Sequence, residues 1–272
     1  MMWFLAQEEA KPVLGLFVEG TIADIIVVLL LGILIWVMVS RARTGRPIPE
    51  IKKIAGLEAI DEAIGRATEM GRPVTFIPGI LSVSNAQTLA AFGVASHVAR
   101  QCARYDTRLL VLTCDPLPYA VLEEITRQSY LEEGRPDAFN PDDVRFLSAE
   151  QFAFASAVIG VYERERPAAN IMIGAFYAES MIFAETASFQ GMISIGGTAH
   201  THQLPFFVAA CDYALIGEEI YAASAYLSKE PVLYGTVVGQ DILKILVWII
   251  ILIGGIIATV NPETTFGKLF EF

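Results

Sequence analysis

The sequence predicts an α/β protein: a doubly wound, Rossmann-like, mainly parallel sheet of about six strands, flanked by two transmembrane helices. Two long apolar runs near the chain ends supply the membrane helices. Between them, segments with helical periodicity alternate with short runs such as LLVLT, NIMIG, MISI and YALI. Those runs are apolar on both faces, as strands are when helices cover both sides of a parallel sheet. Right-handed crossovers then connect them.

The first run, Thr21–Ser40, carries a single charge, Asp24; the second, Ile242–Val260, has Lys244 close to its start. Each is near the ~20 residues that span a ~30 Å hydrocarbon layer. Neither shows the polar face of a half-exposed helix, so a buried core helix is the weaker alternative. The charges follow the first run instead of preceding it, unlike a cleaved signal. Arg41, Arg43, Arg46, Lys52 and Lys53 come after it, whereas Lys11 alone precedes it and Lys268 alone follows the second run. Basic flanks stay in the cytoplasm. The expected layout is an extracytoplasmic segment 1–20, a helix 21–40, a basic linker 41–53, a cytoplasmic domain 54–240, a helix 241–260 and an extracytoplasmic tail 261–272. Lys244 is expected at the cytoplasmic mouth of the second helix, where it can snorkel.

From Pro47 to Gln240 there are 13 basic and 23 acidic residues, a net of −10. Such a surface repels nucleic acid. Cys102, Cys114 and Cys211 are widely spaced and form no CxxC pair, which fits reduced, buried thiols.

Within the domain, Leu57, Ile60 and Ile64 fall on one face of a helix over Leu57–Met70. Val74–Ile77 is a strand ending at Pro78-Gly79, and Ser84 is the expected cap of a helix to about Arg104. Leu109–Thr113 is a strand and Tyr119–Glu133 a helix. After a loop, 144–147 is a strand, and Ser148 with Gln151 suits a capping box for a helix to Glu165. Strand 170–174, helix Tyr177–Phe189, strand Met192–Ile195, helix Leu204–Ala210, strand Tyr213–Ile216 and helix Glu218–Ser228 complete the series, closed by Pro231.

The stretches AGLEAIDEAIGRATEMGRPV (Ala55–Val74) and FFVAACDYALIGEEIYAASAYLSKEP (Phe206–Pro231) resemble an uncharacterised prokaryotic family of membrane-anchored proteins with a domain of unknown function. The resemblance covers most of Ile54–Asp241 and ends in YGTVVGQD. It implies the membrane-plus-domain layout and supplies no activity, cofactor or catalytic residue.

In doubly wound sheets, ligands bind beyond the carboxyl ends of the strands. That rule selects Pro78, Gly79, Ser82, Ser84, Asp115, Glu179, Gly196, Gly197, Thr198 and Glu218 as a candidate rim. Gly196-Gly197 with Thr198 is the best anion candidate, because glycine amides can approach a phosphate or carboxylate. A tight turn needing glycine explains the same pair. Neither GxGxxG nor GxxxxGK[ST] occurs. His200 and His202 flank Thr201 and are a two-residue metal candidate; ordinary loop histidines are the plainer reading. Glu185, in an otherwise apolar helix, is expected to be buried and paired or perturbed. GxSxG is absent, and no triad emerges.

Three functions compete. One is a non-enzymatic, homo-oligomeric scaffold or assembly protein at the cytoplasmic membrane face, motivated by the small-residue helices around ASHVAR, AFASAVIG and AESMIFAETASF. Another is a small-ligand or anion sensor at the rim. The third is a metal-assisted hydrolase using His200 and His202. The expected partners are the lipid bilayer and further copies of the chain, with no nucleic acid; the sequence names no cofactor.

Overall fold

The computed structural model describes residues 12–13, 17–18, 21–45, 55–228 and 230–260. The chain divides into two units, Met1–Glu50 with Pro231–Phe272, and Ile51–Glu230. In chain order the elements are β1 (Pro12–Val13), β2 (Phe17–Val18), α1 (Thr21–Arg43), α2 (Ala55–Met70), β3 (Val74–Gly79), α3 (Ala86–Tyr105), β4 (Leu109–Thr113), α4 (Pro116–Glu132), β5 (Val144–Phe146), α5 (Gln151–Glu165), β6 (Ala169–Ala175), α6 (Glu179–Phe189), β7 (Ile193–Thr198), α7 (Leu204–Ala210), β8 (Tyr213–Ile216), α8 (Glu219–Ser228) and α9 (Pro231–Val260). Most of the predicted segment 1–20, linker residues 46–53 and the tail 261–272 lie outside the described residues.

In the second unit, six parallel strands lie in the order β5-β4-β3-β6-β7-β8. Renumbered from the first strand of the sheet, this is 3-2-1-4-5-6, the doubly wound order with its reversal between β3 and β6. α2, α3, α4 and α8 cover one face, where Ile60, Val94, Val98, Leu122 and Ile220 pack on Val111, Ile171 and Ile195. α5, α6 and α7 cover the other, where Phe154, Val158, Phe183 and Phe207 pack on Ile77, Leu112 and Met172. Both faces of β3, β4 and β6 are buried along their whole length, which is why their sequences do not alternate.

The small residues of ASHVAR are spent inside the domain. Ala95 and Ala99 of α3 are buried, Ser96 meets Ser129 of α4 at 3.3 Å, and Gly93 admits Ser224 of α8. His97 bonds Asp61 of α2 at 2.7 Å.

Several local expectations change. α3 is capped by Asn85, whose side chain accepts from the Gln87 amide at 2.9 Å, and not by Ser84. α4 begins earlier than predicted, at Pro116, because Asp115 caps it and proline suits a first turn. Ser148 and Gln151 form no capping box: Glu150 stands at the N-cap, and Ser148 accepts from the Glu150 amide. Glu185 is exposed, one turn from Met181 and Phe189 on the outward side of α6.

In the first unit, α1 and α9 pack antiparallel. A β-carbon at Gly235 would come within 2.7 Å of the Val39 Cα, and one at Gly239 within 3.5 Å of the Ile35 Cα. α1 runs past Ser40 to Arg43, so the start of the predicted linker is helical. α9 starts at Pro231, where the sequence reading stopped a helix; proline lacks only an amide hydrogen that a first turn leaves unbonded anyway. Lys244 therefore sits several turns inside α9. Among the described residues one helix, Pro231–Ile256, is long and apolar enough to cross a membrane, where the sequence predicts two.

Candidate functional site

Every residue chosen from the sequence for the rim lies at or just beyond the carboxyl end of a strand of the sheet. Pro78 and Gly79 end β3, Ser82 and Ser84 lie in the loop after it, and Asp115 follows β4. Glu179 opens α6 after β6, Gly196, Gly197 and Thr198 end β7, and Glu218 follows β8.

At the reversal point the crevice between β3 and β6 is drawn shut. Pairing continues to Gly79 and Ala175, and the Ile80 amide donates to the Ala175 carbonyl at 3.0 Å. Gly174 makes this possible: its φ is +151°, and a β-carbon there would overlap the Pro78 carbonyl. Asn85 already occupies the α3 amide terminus that would otherwise attract an anion.

The two glycines of β7 also have a packing role. They belong to the strand itself, Gly196 paired with Met172 and Ala214, Gly197 with Ile173 and Leu215. A β-carbon on Gly196 would strike the Phe207 ring, and one on Gly197 would meet Ile173, Leu215 and Ile220. They are present because α7 and the neighbouring strands come close, not because a turn follows.

Three glutamines missing from the sequence-based rim hold it together. Gln87, in the first turn of α3, accepts from the Thr198 hydroxyl at 3.1 Å and the Ala199 amide at 2.7 Å. Gln151, the first residue of α5, donates to the Glu179 carboxylate, which also accepts from the Tyr177 amide at 2.8 Å. Gln203, just before α7, accepts from Ser180 at 3.2 Å. The usable signal was positional: each glutamine stands at a helix start that follows a strand.

Glu179 is fully buried and held by neutral donors. The Cys114 thiol is pushed up to about 11, chiefly by burial and then by Glu179, Asp115 and Glu150. It is a protonated thiol at neutral pH and a poor nucleophile. His200 Nδ1 lies 3.0 Å from the Phe176 carbonyl, which can only accept, so Nδ1 is the donor of this bond. Its ring is 5.1 Å from Tyr177 and 5.3 Å from His202, the two imidazoles within 17° of parallel. Stacked planes run beside one another instead of meeting at a common ion. Among the described residues, no three of His, Cys, Asp and Glu gather into a metal centre.

A family profile for Domain of unknown function (DUF6754) matches residues 13–270. The chain belongs to this family. The DUF6754 match extends beyond the Ile54–Asp241 span of the resemblance and takes in both α1 and α9. Comparisons with curated proteins and with solved structures match nothing.

Proposed function

We propose that this DUF6754 protein is a non-enzymatic assembly protein. In this reading α1 and α9 both cross the bilayer, both chain termini lie outside, and the acidic α/β domain is cytoplasmic. Copies of the domain associate through the outer face of α5, α6 and α7. The observation that carries it is the exposed apolar side chains of that layer: Phe189 is 88% exposed, Phe152 63% and Val208 56%, and Met181 and Phe206 are exposed as well. The Gln151–Glu179 and Ser180–Gln203 bonds tie the first turns of the three helices together, and Phe152, Met181 and Phe206 each lie within three residues of one of those bonded groups. Contiguous exposed apolar patches of this kind mark contact surfaces. Two membrane crossings are supported by the α1–α9 pair, whose outward side chains, including Leu29, Ile33, Trp36, Trp248 and Leu252, are apolar.

Light scattering of the full chain in detergent tests this. The wild type is expected as a multimer, and Phe189→Asp with Met181→Asp is expected to lower the mass towards one chain. A wild type that stays monomeric across concentrations would end the proposal.

A second reading has its own observation, the Tyr177–His200–His202 ring stack at the rim. It suits a planar or anionic small ligand. Stabilisation of the wild type by such a ligand, lost in His200→Ala, is the expected sign; equal shifts in both would remove it.

A further inference from the structure

At the amino ends of β4 and β5, the edge of the sheet opposite the rim, lies a cavity of about 260 Å³. Buried Cys102, Thr126 and Tyr130 line its inner part, and the exposed residues Asp106, Arg108 and Asn140 stand at its mouth. The chain between α4 and β5 forms a further wall, where Phe139 meets the Tyr130 ring edge-on with centroids 6.0 Å apart.

The charged groups around the cavity are engaged with one another. Arg108 donates to Asp143 at 3.0 Å and to Glu165 at 2.8 Å, and Arg135 donates to Asp106 at 2.6 Å. Thr126 donates to the Leu122 carbonyl at 2.7 Å, and Thr107 shares a bond with Thr68. Tyr130 differs. It is only 5% exposed, yet among the described residues its hydroxyl has no hydrogen-bond partner. A buried tyrosine hydroxyl as a rule finds one. Burial pushes this hydroxyl above the ordinary tyrosine value, so it stays a neutral donor. Asn140 accepts from the Asp142 amide at 3.1 Å through its side-chain oxygen, which leaves its NH2 group as a second donor.

We propose that this cavity binds a small uncharged molecule that carries an aromatic ring and an acceptor oxygen, with the oxygen accepting a hydrogen bond from Tyr130. Mutually paired charges leave nothing to neutralise an ionic ligand, and an unpaired charge in a half-buried space is costly. The ring lies against the Tyr130–Phe139 pair, where a third aromatic group gains edge or stacking contacts. The volume falls just below the ~300 Å³ at which common ligand pockets begin, so the occupant is small. This site is independent of the assembly face on α5–α7 and of the ring stack at the rim.

The test is equilibrium dialysis of the full chain in detergent against benzamide, with detergent alone as the baseline and benzoate as the charged counterpart of the same shape. The wild type is expected to saturate at one benzamide per chain and to bind benzoate at least tenfold more weakly. Tyr130→Phe keeps the ring and removes the donor, and is expected to weaken benzamide binding about tenfold. Ala138→Trp, at an exposed position on the wall, is expected to abolish binding, whereas His200→Ala leaves it unchanged. Should Ala138→Trp fail to fold, Tyr130→Phe alone decides. No saturable binding by the wild type, or wild-type affinity in Tyr130→Phe, would overturn the inference. A monomeric wild type would end the assembly proposal and leave this one standing.

Discussion

Gln151 donates its side-chain amide to the fully buried carboxylate of Glu179, and this bond joins the first turn of α5 to the first turn of α6. Glu179 has no cationic partner in the bonds that hold it; an amide side chain and the Tyr177 backbone amide do that work. Removing one donor leaves a buried oxygen without that bond, whereas an amide in place of the carboxyl group can keep both bonds.

Gln151→Leu is therefore expected to cost about 2 kcal/mol. Glu179→Gln is expected to cost less than about 1 kcal/mol, because Gln151 can turn over and accept from the new amide. Urea unfolding of the full chain in detergent measures both. The reverse ranking would show that the charge itself is needed for stability.

The β7 glycines make a packing prediction. Gly196→Ala is expected to destabilise by about 3 kcal/mol because its methyl group meets Phe207. Adding Phe207→Leu is expected to recover part of that loss, a coupling that a double-mutant cycle resolves. If Gly196 served only an anion, Phe207→Leu would give no recovery.

Alkaline pH is expected to weaken the domain. Burial pushes the Cys114 thiol up to about 11 and Cys211 up to about 12, and raises Cys102 as well. An unfolded thiol ionises near 8.5. The folded state thus holds protons that the unfolded state has released, and stability falls as pH rises from about 9 towards 12. Melting temperatures from pH 7 to 11 should show this decline, and Cys114→Ala should flatten it.

The acid side has its own prediction. Burial raises the Glu165 carboxyl, but bonds from Arg145 at 3.0 Å and Arg108 at 2.8 Å outweigh it and hold the group below its ordinary value. That stability is complete above about pH 4.3 and is lost as pH falls through the lowered folded value. Arg108 also grips Asp143, so Arg108→Ala is expected to cost about 2 kcal/mol at pH 7 and to shallow the acid limb. An unchanged acid profile would count against the pairing.

Much of the sheet was legible because burial on both faces leaves a plain mark. Leu109–Thr113, Leu204–Ala210 and Tyr213–Ile216 fall where the sequence places them. What failed had two readings locally. Gly196-Gly197 looks the same in a turn as under an aromatic ring, and only the position of Phe207 decides. Glu185 looked anomalous because α6 has apolar residues all round; its outward stripe of Met181 and Phe189 was the unseen reason. Pro231 ends one helix or begins another with equal ease. The glutamine bridges join residues up to 112 apart in sequence, which no local pattern reveals.

The antiparallel pairing of α1 with α9 also orders events during synthesis. α1 ends at Arg43, about 190 residues before α9 begins at Pro231, so it is made without its partner while the α/β domain is synthesised between them. Closing so long a loop is costly for a disordered chain, but a folded insert brings its own ends into a fixed geometry. Gly235 and Gly239 thus join the two ends of the polypeptide only once the middle is finished. A chain stopped before α9 would leave α1 without the helix that packs against Ile35 and Val39.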